Sequence, residues 1–323
     1  MGRRGSYAVG SLGAFFHAVR VFADELAAVR WEFLAIALGL FFVRLGLRAI
    51  AWRTILCASY PGERIRFRSV FGAYVAGVGV NSIVPARAGD VVKLYLIKHR
   101  IEGSSYATLT PTLIAETLLD FFVAGGLIVW ALWIGVLPTH QVYSRLPSVD
   151  WSFFARHARE TEIGLALLAG TAVIGVIAFI ESGGPMRARI MRGFAILRHP
   201  RRLAVGVLLP QGLSWVFRVA SIYYFLLAFH VPATIHNALL ALVVDSLSTL
   251  FPATPGGAGT KQGLIAFLFR NQHISESLLL AFSVGMNIAV VVFNLLLGAF
   301  AMWMMARTVS WKRIRAAHTQ EQA

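Results

Sequence analysis

Hydrophobic positions along this chain come in runs of about twenty, the length that crosses a bilayer as a helix. The runs span residues 33–56, 69–84, 107–137, 162–180, 203–229, 235–251 and 278–305. Short, more polar stretches with helical character lie at 90–100 and 261–269. Residues 1–30 are ambiguous, either a weak first span or an amphipathic helix lying in the membrane interface. They lack the apolar core of a cleavable signal peptide. Two of the runs end in Pro/Gly segments, one at 81–90 (N-S-I-V-P-A-R-A-G-D) and one at 248–262 (S-T-L-F-P-A-T-P-G-G-A-G-T-K-Q). A helix broken inside a bilayer needs protein or a polar cavity to take up its freed backbone groups. A pair of such breaks in corresponding halves of a chain points to a transport site.

Loop charge decides how the runs thread. Basic residues gather at Arg64, Arg66 and Arg68, and at Lys93, Lys98 and Arg100. They gather again at Arg187, Arg189, Arg192, Arg198, Arg201 and Arg202, and in the tail at Arg307, Lys312, Arg313 and Arg315. Lys and Arg concentrate in cytoplasmic loops. If residues 69–84 crossed fully, the arginine-rich loop at 187–202 would face outside. If 69–100 instead enters and leaves on the cytoplasmic side, and 235–269 does so from outside, every one of these basic residues is cytoplasmic. That threading predicts two re-entrant hairpins entering from opposite faces, the signature of an inverted repeat. The halves would be 33–137 and 203–305, with 162–180 as connector. The expected fold is all-α: one polytopic membrane helix bundle over residues 1–323, with its C-terminus in the cytoplasm and its home in the plasma membrane.

Composition agrees. The chain is 57% hydrophobic and 14% charged, against roughly 25% charged in soluble domains. Mean hydropathy is +0.68. The formal net charge of +15 follows from the cytoplasmic loops, so no nucleic-acid partner is expected. The lone cysteine, Cys57, excludes an internal disulfide and a Cys-based metal cluster. The histidines are scattered, and neither a metal site nor a cofactor is expected.

The breaks carry the candidate chemistry. Asn81 and Pro85 end one half-helix, Gly89 permits close backbone approach, and Asp90 is a suitable N-cap for the next. Arg87 lies in the turn and Lys93 one turn further on. In the second break, Pro252 and Pro255 precede Gly256, Gly257 and Gly259, Thr260 can cap a short helix, and Lys261 lies in its first turn. Two helix N-termini with Arg87, Lys93 and Lys261 suit an anion, most simply a phosphate. A bland reading stands beside this one: the Pro/Gly elements only close the hairpins and the lysines reach for water. Ionisable groups also sit inside the spans, where the default reading is functional. Glu116 and Asp120 are spaced i,i+4, Arg218 lies deep in its helix, and Asp245 precedes the second break. Arg44, Arg48 and Arg53 are read as one helix face. Glu116 with the arginine stripe, or Arg218 with Asp245, could pair across helices, and the two carboxylates could instead bind a coupling proton or serve acid–base chemistry. No nucleophile accompanies them, so an enzyme is not expected.

The pattern N-x-x-x-P-x-R-x-G-[DE]-x-x-[KR] is met by Asn81, Pro85, Arg87, Gly89, Asp90 and Lys93. The pattern P-x-x-P-G-G-x-G is met by Pro252, Pro255, Gly256, Gly257 and Gly259. With Trp52-Arg53 closing the first clear span, the chain over about 30–306 resembles the lysylphosphatidylglycerol synthase transmembrane region, a flippase-like family. It departs from the common pattern at Gln262, where a glutamate is frequent. The resemblance implies a membrane domain that moves lipids: an anionic phospholipid, a polyprenyl-linked sugar or a hopanoid-type lipid. The soluble synthase domain of the namesake enzymes is absent from these residues, so lysyl transfer is not implied. The expected function is a lipid translocase with a polar mid-membrane headgroup site, with Glu116, Asp120, Arg218 and Asp245 balancing charge or gating. Two alternatives are a membrane-embedded transferase and a lipid-presenting partner for a lipid-modifying enzyme. An open interfacial cleft holding Glu116 and Asp120 would favour the transferase.

Overall fold

A computed structural model describes residues 28–84, 87–133, 184–250, 265, 269 and 274–308. The described residues are helical, with no strand among them. Eight helices carry the description: α1 (Trp31–Ser59), α2 (Phe67–Asn81), α3 (Ala88–Lys98), α4 (Tyr106–Trp133), α5 (Gly184–Gly193), α6 (Pro200–Ala228), α7 (Ile235–Leu250) and α8 (Glu276–Thr308). Four of them, α1, α4, α6 and α8, are long and apolar enough to cross a membrane. Their outward faces carry apolar side chains such as Phe42, Phe122, Val216, Leu296 and Phe300. Water would penalise such a surface, and lipid does not. The chain is a multi-pass membrane protein.

Residues 1–27, the expected connector 162–180 and the second break from 251 to 264 lie outside the described residues. So do Pro85 and the tail beyond residue 308.

α1 and α6 lie antiparallel. Ser221 donates its hydroxyl to the Ala37 carbonyl at 2.8 Å, the Arg30 amide donates to the Ala228 carbonyl at 3.0 Å, and Gly206 abuts Thr54. A Cβ on Gly206 would sit 2.6 Å from the Thr54 methyl, so the start of α6 reaches α1 only because that residue is glycine. The helix is locally widened to a π turn over Ala204–Leu208 at this point. α7 runs back along α6 from the opposite end, and a cluster built on Phe225, Val244, Phe269 and Phe282 fills the space between them.

α2 and α3 form an antiparallel hairpin. Tyr74 meets Lys93, Gly77 meets Gly89, and the Gly89 amide donates to the Asn81 side-chain oxygen at 2.7 Å. A Cβ on Gly89 would overlap the Gly77 carbonyl, which gives that glycine its packing reason. With 15 and 11 residues, the two helices are only about 22 and 17 Å long. α8, at 33 residues, reaches about 50 Å. The hairpin turn therefore lies against the middle of α8. There the Asn294 amide donates to Ser82 Oγ at 3.1 Å, and Gly79 faces Gly298.

One end of the bundle collects the basic loops. Arg53 donates to the Ile65 carbonyl at 2.9 Å, holding the α1–α2 loop against the end of α1. Arg100 donates to the Met305 carbonyl at 2.8 Å, tying the end of α3 to the end of α8. Gly193 packs on Pro111 and Thr108, bringing the end of α5 to the start of α4. Arg64, Arg66, Arg68, Lys98, Arg100, Arg192, Arg198 and Arg307 belong to these segments.

Two expectations need correction. Arg53 does not share a face with Arg44, because nine residues at about 100° each place them on opposite sides of the helix. Asp90 is not the N-cap of α3. The helix begins at Ala88, and Arg87 occupies the cap position in a left-handed conformation (φ 59). Asn81 rather than Asp90 supplies the acceptor for the first-turn Gly89 amide.

The α2–α8 crossing depends on small residues, as close membrane helix packing does. A Cβ at Gly79 would lie 2.9 Å from the Asn294 carbonyl oxygen and 3.0 Å from the Gly298 Cα. Both are backbone atoms that cannot rotate away. Gly79→Val is expected to cost about 1–3 kcal/mol by overpacking, read as a lower melting temperature in detergent. A Cβ at Gly39 would meet nothing within 4 Å, so Gly39→Val should leave the melting temperature nearly unchanged.

Candidate functional site: a charge chain through the bundle

The ionisable residues that lie within the apolar helices meet in the interior. Arg48, on α1, is the hub. Its Nη2 donates to Glu116 Oε1 at 2.7 Å and its Nη1 to Asp120 Oδ2 at 2.7 Å, so one guanidinium holds both α4 carboxylates. Its Nε donates to the Tyr74 hydroxyl of α2 at 2.6 Å. Glu116 is 3% exposed. α6 adds two further contacts: Trp215 donates its indole N–H to Asp120 Oδ1 at 3.0 Å, and Gln211 donates to the Glu116 backbone carbonyl at 3.0 Å. Asp120 thus accepts from both α1 and α6. The i,i+4 spacing of Glu116 and Asp120 is what lets one planar fork reach both.

The chain of charges continues in two directions. Toward the hairpin, Lys93 is buried, with its ammonium 4.3 Å from the Tyr74 ring centre and 2.9 Å from Asp90 Oδ1. Asp90 also faces Arg87 Nε at 3.3 Å, and the Arg87 side chain is 66% exposed at the turn. Toward α7, Arg218 donates to Asp245 Oδ2 at 2.6 Å and lies over the Trp215 ring at 4.7 Å. Arg44 sits one turn before Arg48, its guanidinium 5.4 Å from the Phe41 ring centre. Six helices, α1, α2, α3, α4, α6 and α7, therefore contribute to one polar seam.

Both cross-helix pairings that the sequence left open occur. Glu116 and Asp120 are held by Arg48, and Arg218 holds Asp245. Asn81, Arg87, Gly89, Asp90 and Lys93 come together at the hairpin turn. Pro252, Pro255, Gly256, Gly257, Gly259, Thr260 and Lys261 lie outside the described residues. Sequence reasoning missed Tyr74, Gln211, Trp215 and Asn294. Each is a single polar side chain in an apolar helix, and nothing in the sequence tells which helix it faces. Among the described residues no group of His, Cys, Asp and Glu could hold a metal ion.

A helix bundle with four apolar spans among its described residues and a charged interior seam defines a class, an integral membrane protein with polar chemistry in its core. The chain belongs to the family described as the lysylphosphatidylglycerol synthase TM region, whose model matches residues 5–298. It is similar to a UPF0104 membrane protein of Methanothermobacter thermautotrophicus, with 24% identity over 312 residues, covering 87% of this chain and 86% of that protein. No solved structure matches the chain.

The Arg48 hub predicts a sharp asymmetry between variants. Arg48→Met leaves two carboxylates in the interior with no cation, and breaking a buried pair this way costs about 3–5 kcal/mol. Adding Glu116→Gln and Asp120→Asn removes the stranded charge and should recover most of that loss. Melting temperatures of the full chain in detergent read both effects.

Proposed function

We propose that the chain is a lipid translocase of the plasma membrane. One observation carries the reading: the α2–α3 hairpin starts and ends at the basic end of the bundle, and its polar turn lies beside the middle of α8. With the basic end placed in the cytoplasm, the hairpin is re-entrant and α8 ends on the cytoplasmic side. Its turn then lies near the bilayer midplane, since the hydrocarbon core is about 30 Å thick. Arg87, Asp90 and Lys93 stand at that depth, where exposed charge requires a polar cavity.

The second half mirrors the first. α7 enters from the opposite end and stops near mid-bundle, where Asp245 meets Arg218. In this reading the break after it, from Pro252 to Lys261, would be the counterpart hairpin, and residues 33–137 and 203–305 would be the inverted halves. The antiparallel contact of α1 with α6 supports that relation. A headgroup phosphate would occupy the polar seam between the two hairpins, contacted by Arg87, Lys93 and Lys261. The acyl chains would stay in the bilayer, and alternating exposure of the hairpins would carry the headgroup across. The engagement of Glu116 and Asp120 by Arg48 supports a charge-balancing role for them rather than acid–base chemistry.

Reconstituted liposomes test this reading. Headgroup-labelled phosphatidylglycerol is incorporated, and its movement is followed by membrane-impermeant quenching. The native chain is expected to move label between leaflets, and Arg87→Ala to slow it roughly tenfold, the loss of about 1.4 kcal/mol from one charge-assisted contact. Equal rates in the two, or no movement with the native chain, would contradict it.

A further inference from the structure

Among the described residues the arginines of the seam share its carboxylates unevenly. Among the described residues Arg48 pairs with two carboxylates, whereas Arg218 pairs with Asp245 alone. Among the described residues Arg44 makes no ion pair. Its guanidinium rests 5.4 Å from the Phe41 ring centre, and the antiparallel contact of Ala37 on α1 with Ser221 on α6 brings its stretch of α1 alongside the Arg218 stretch of α6. Arg218 uses Nη2 on Asp245, but its Nε is buried with no acceptor. A buried donor without an acceptor and a cation that makes no ion pair are both costly in a membrane protein's interior. Both occur at the junction of α1, α6 and α7.

We infer that Arg44 and Arg218 form a binding site for the phosphodiester of a membrane phospholipid. This rests on the translocase reading and adds to the hairpin turn a second phosphate contact, at the α1–α6 interface. The chemistry matches in three respects. A phosphodiester carries a single negative charge, and among the described residues no carboxylate forms an ion pair with Arg44 to supply one. Its two non-bridging oxygens can accept from both guanidiniums, including the orphaned Arg218 Nε–H, and planar guanidinium forks suit such oxygens better than point charges do. The flanks suit a lipid. Phe42 and Val43, beside Arg44, are 40% and 42% exposed, and Leu213 and Val216, close to Arg218, are exposed as well. Acyl chains can lie against those side chains while the phosphate reaches the two arginines. A bound phosphate would also compete with Asp245 for Arg218, loosening the tie between α6 and α7. That gives the headgroup a way to release the second half of the bundle.

The site makes an unusual combined prediction. An arginine kept for structure destabilises when removed, as expected for Arg48. An arginine kept for a ligand, with no partner of its own, does not. The full chain in an uncharged maltoside detergent is titrated with dioctanoyl phosphatidylglycerol, dioctanoylglycerol and inorganic phosphate. Calorimetry gives the affinities, and melting temperatures are taken without added lipid. For Arg44→Gln the expected result is a melting temperature equal to or above that of the native chain, with phosphatidylglycerol bound at least about tenfold more weakly. Arg44→Lys should lie between the two. Dioctanoylglycerol should not bind, and inorganic phosphate should bind far more weakly than the lipid. Undiminished lipid binding by Arg44→Gln overturns the site. So does a fall in its melting temperature as large as that of Arg48→Met. Inorganic phosphate binding as tightly as the lipid overturns the lipid as occupant. The two readings fail separately. Headgroup movement by the native chain with normal lipid binding by Arg44→Gln removes this site alone. Arg44-dependent binding without headgroup movement removes the translocase and leaves the site.

Discussion

A guanidinium in the middle of an apolar helix is tolerated only where other elements bring acceptors to it, and Arg48 imposes that condition on three helices at once, α1, α2 and α4. Its three nitrogens point at Glu116, Asp120 and Tyr74, which fixes α4 and α2 against α1. Trp215 and Gln211 then bind the same α4 segment from α6. Moving any of these helices by a turn would strand a charge. In lipid, where apolar contact alone gives little preference for one helix register over another, such polar contacts and close small-residue packing set the register. The Gly79–Gly298 approach does for α2 and α8 what Arg48 does for α1, α2 and α4.

The hairpin follows from the same constraint. α2 and α3 are too short to cross comfortably in turn, so the chain reverses inside the bundle. The reversal frees backbone groups, and Asn81 accepts from one of them. Arg87 adopts a left-handed conformation that costs a non-glycine residue free energy and is found where surrounding structure enforces it. The strained turn carries Arg87 outward while Asp90 stays between Arg87 and Lys93. A polar turn held at mid-bundle by a strained residue and a glycine contact is a costly arrangement for mere connection.

Much of this is legible in the chain. Runs of apolar residues locate the helices to within a few positions: 33–56 corresponds to Trp31–Ser59, and 90–100 to Ala88–Lys98. The two carboxylate–arginine pairings are available because lone charges in apolar helices must find each other. What stays hidden depends on rotation and crossing. Spacing alone groups Arg53 with Arg44 although half a turn separates them, and Arg53 serves the loop carbonyl of Ile65 instead. An aspartate before a helix is a good cap, which points to Asp90, but the turn geometry starts α3 at Ala88. The uneven sharing of carboxylates between Arg48 and the Arg44–Arg218 pair cannot be read from sequence at all. It requires knowing which arginine faces which helix.

The mid-membrane site exists only if the hairpin enters and leaves through the same face of the membrane. Single cysteines placed at Glu63, in the loop before α2, and at Glu102, in the loop after α3, measure that directly in a Cys57→Ser background. Both positions are exposed. In sealed vesicles treated with a membrane-impermeant thiol reagent, the two should label from the same side, together with a cysteine near the end of α8. Labelling of positions 63 and 102 from opposite sides would mean that the segment crosses the bilayer, and the site built on its turn would fall with it.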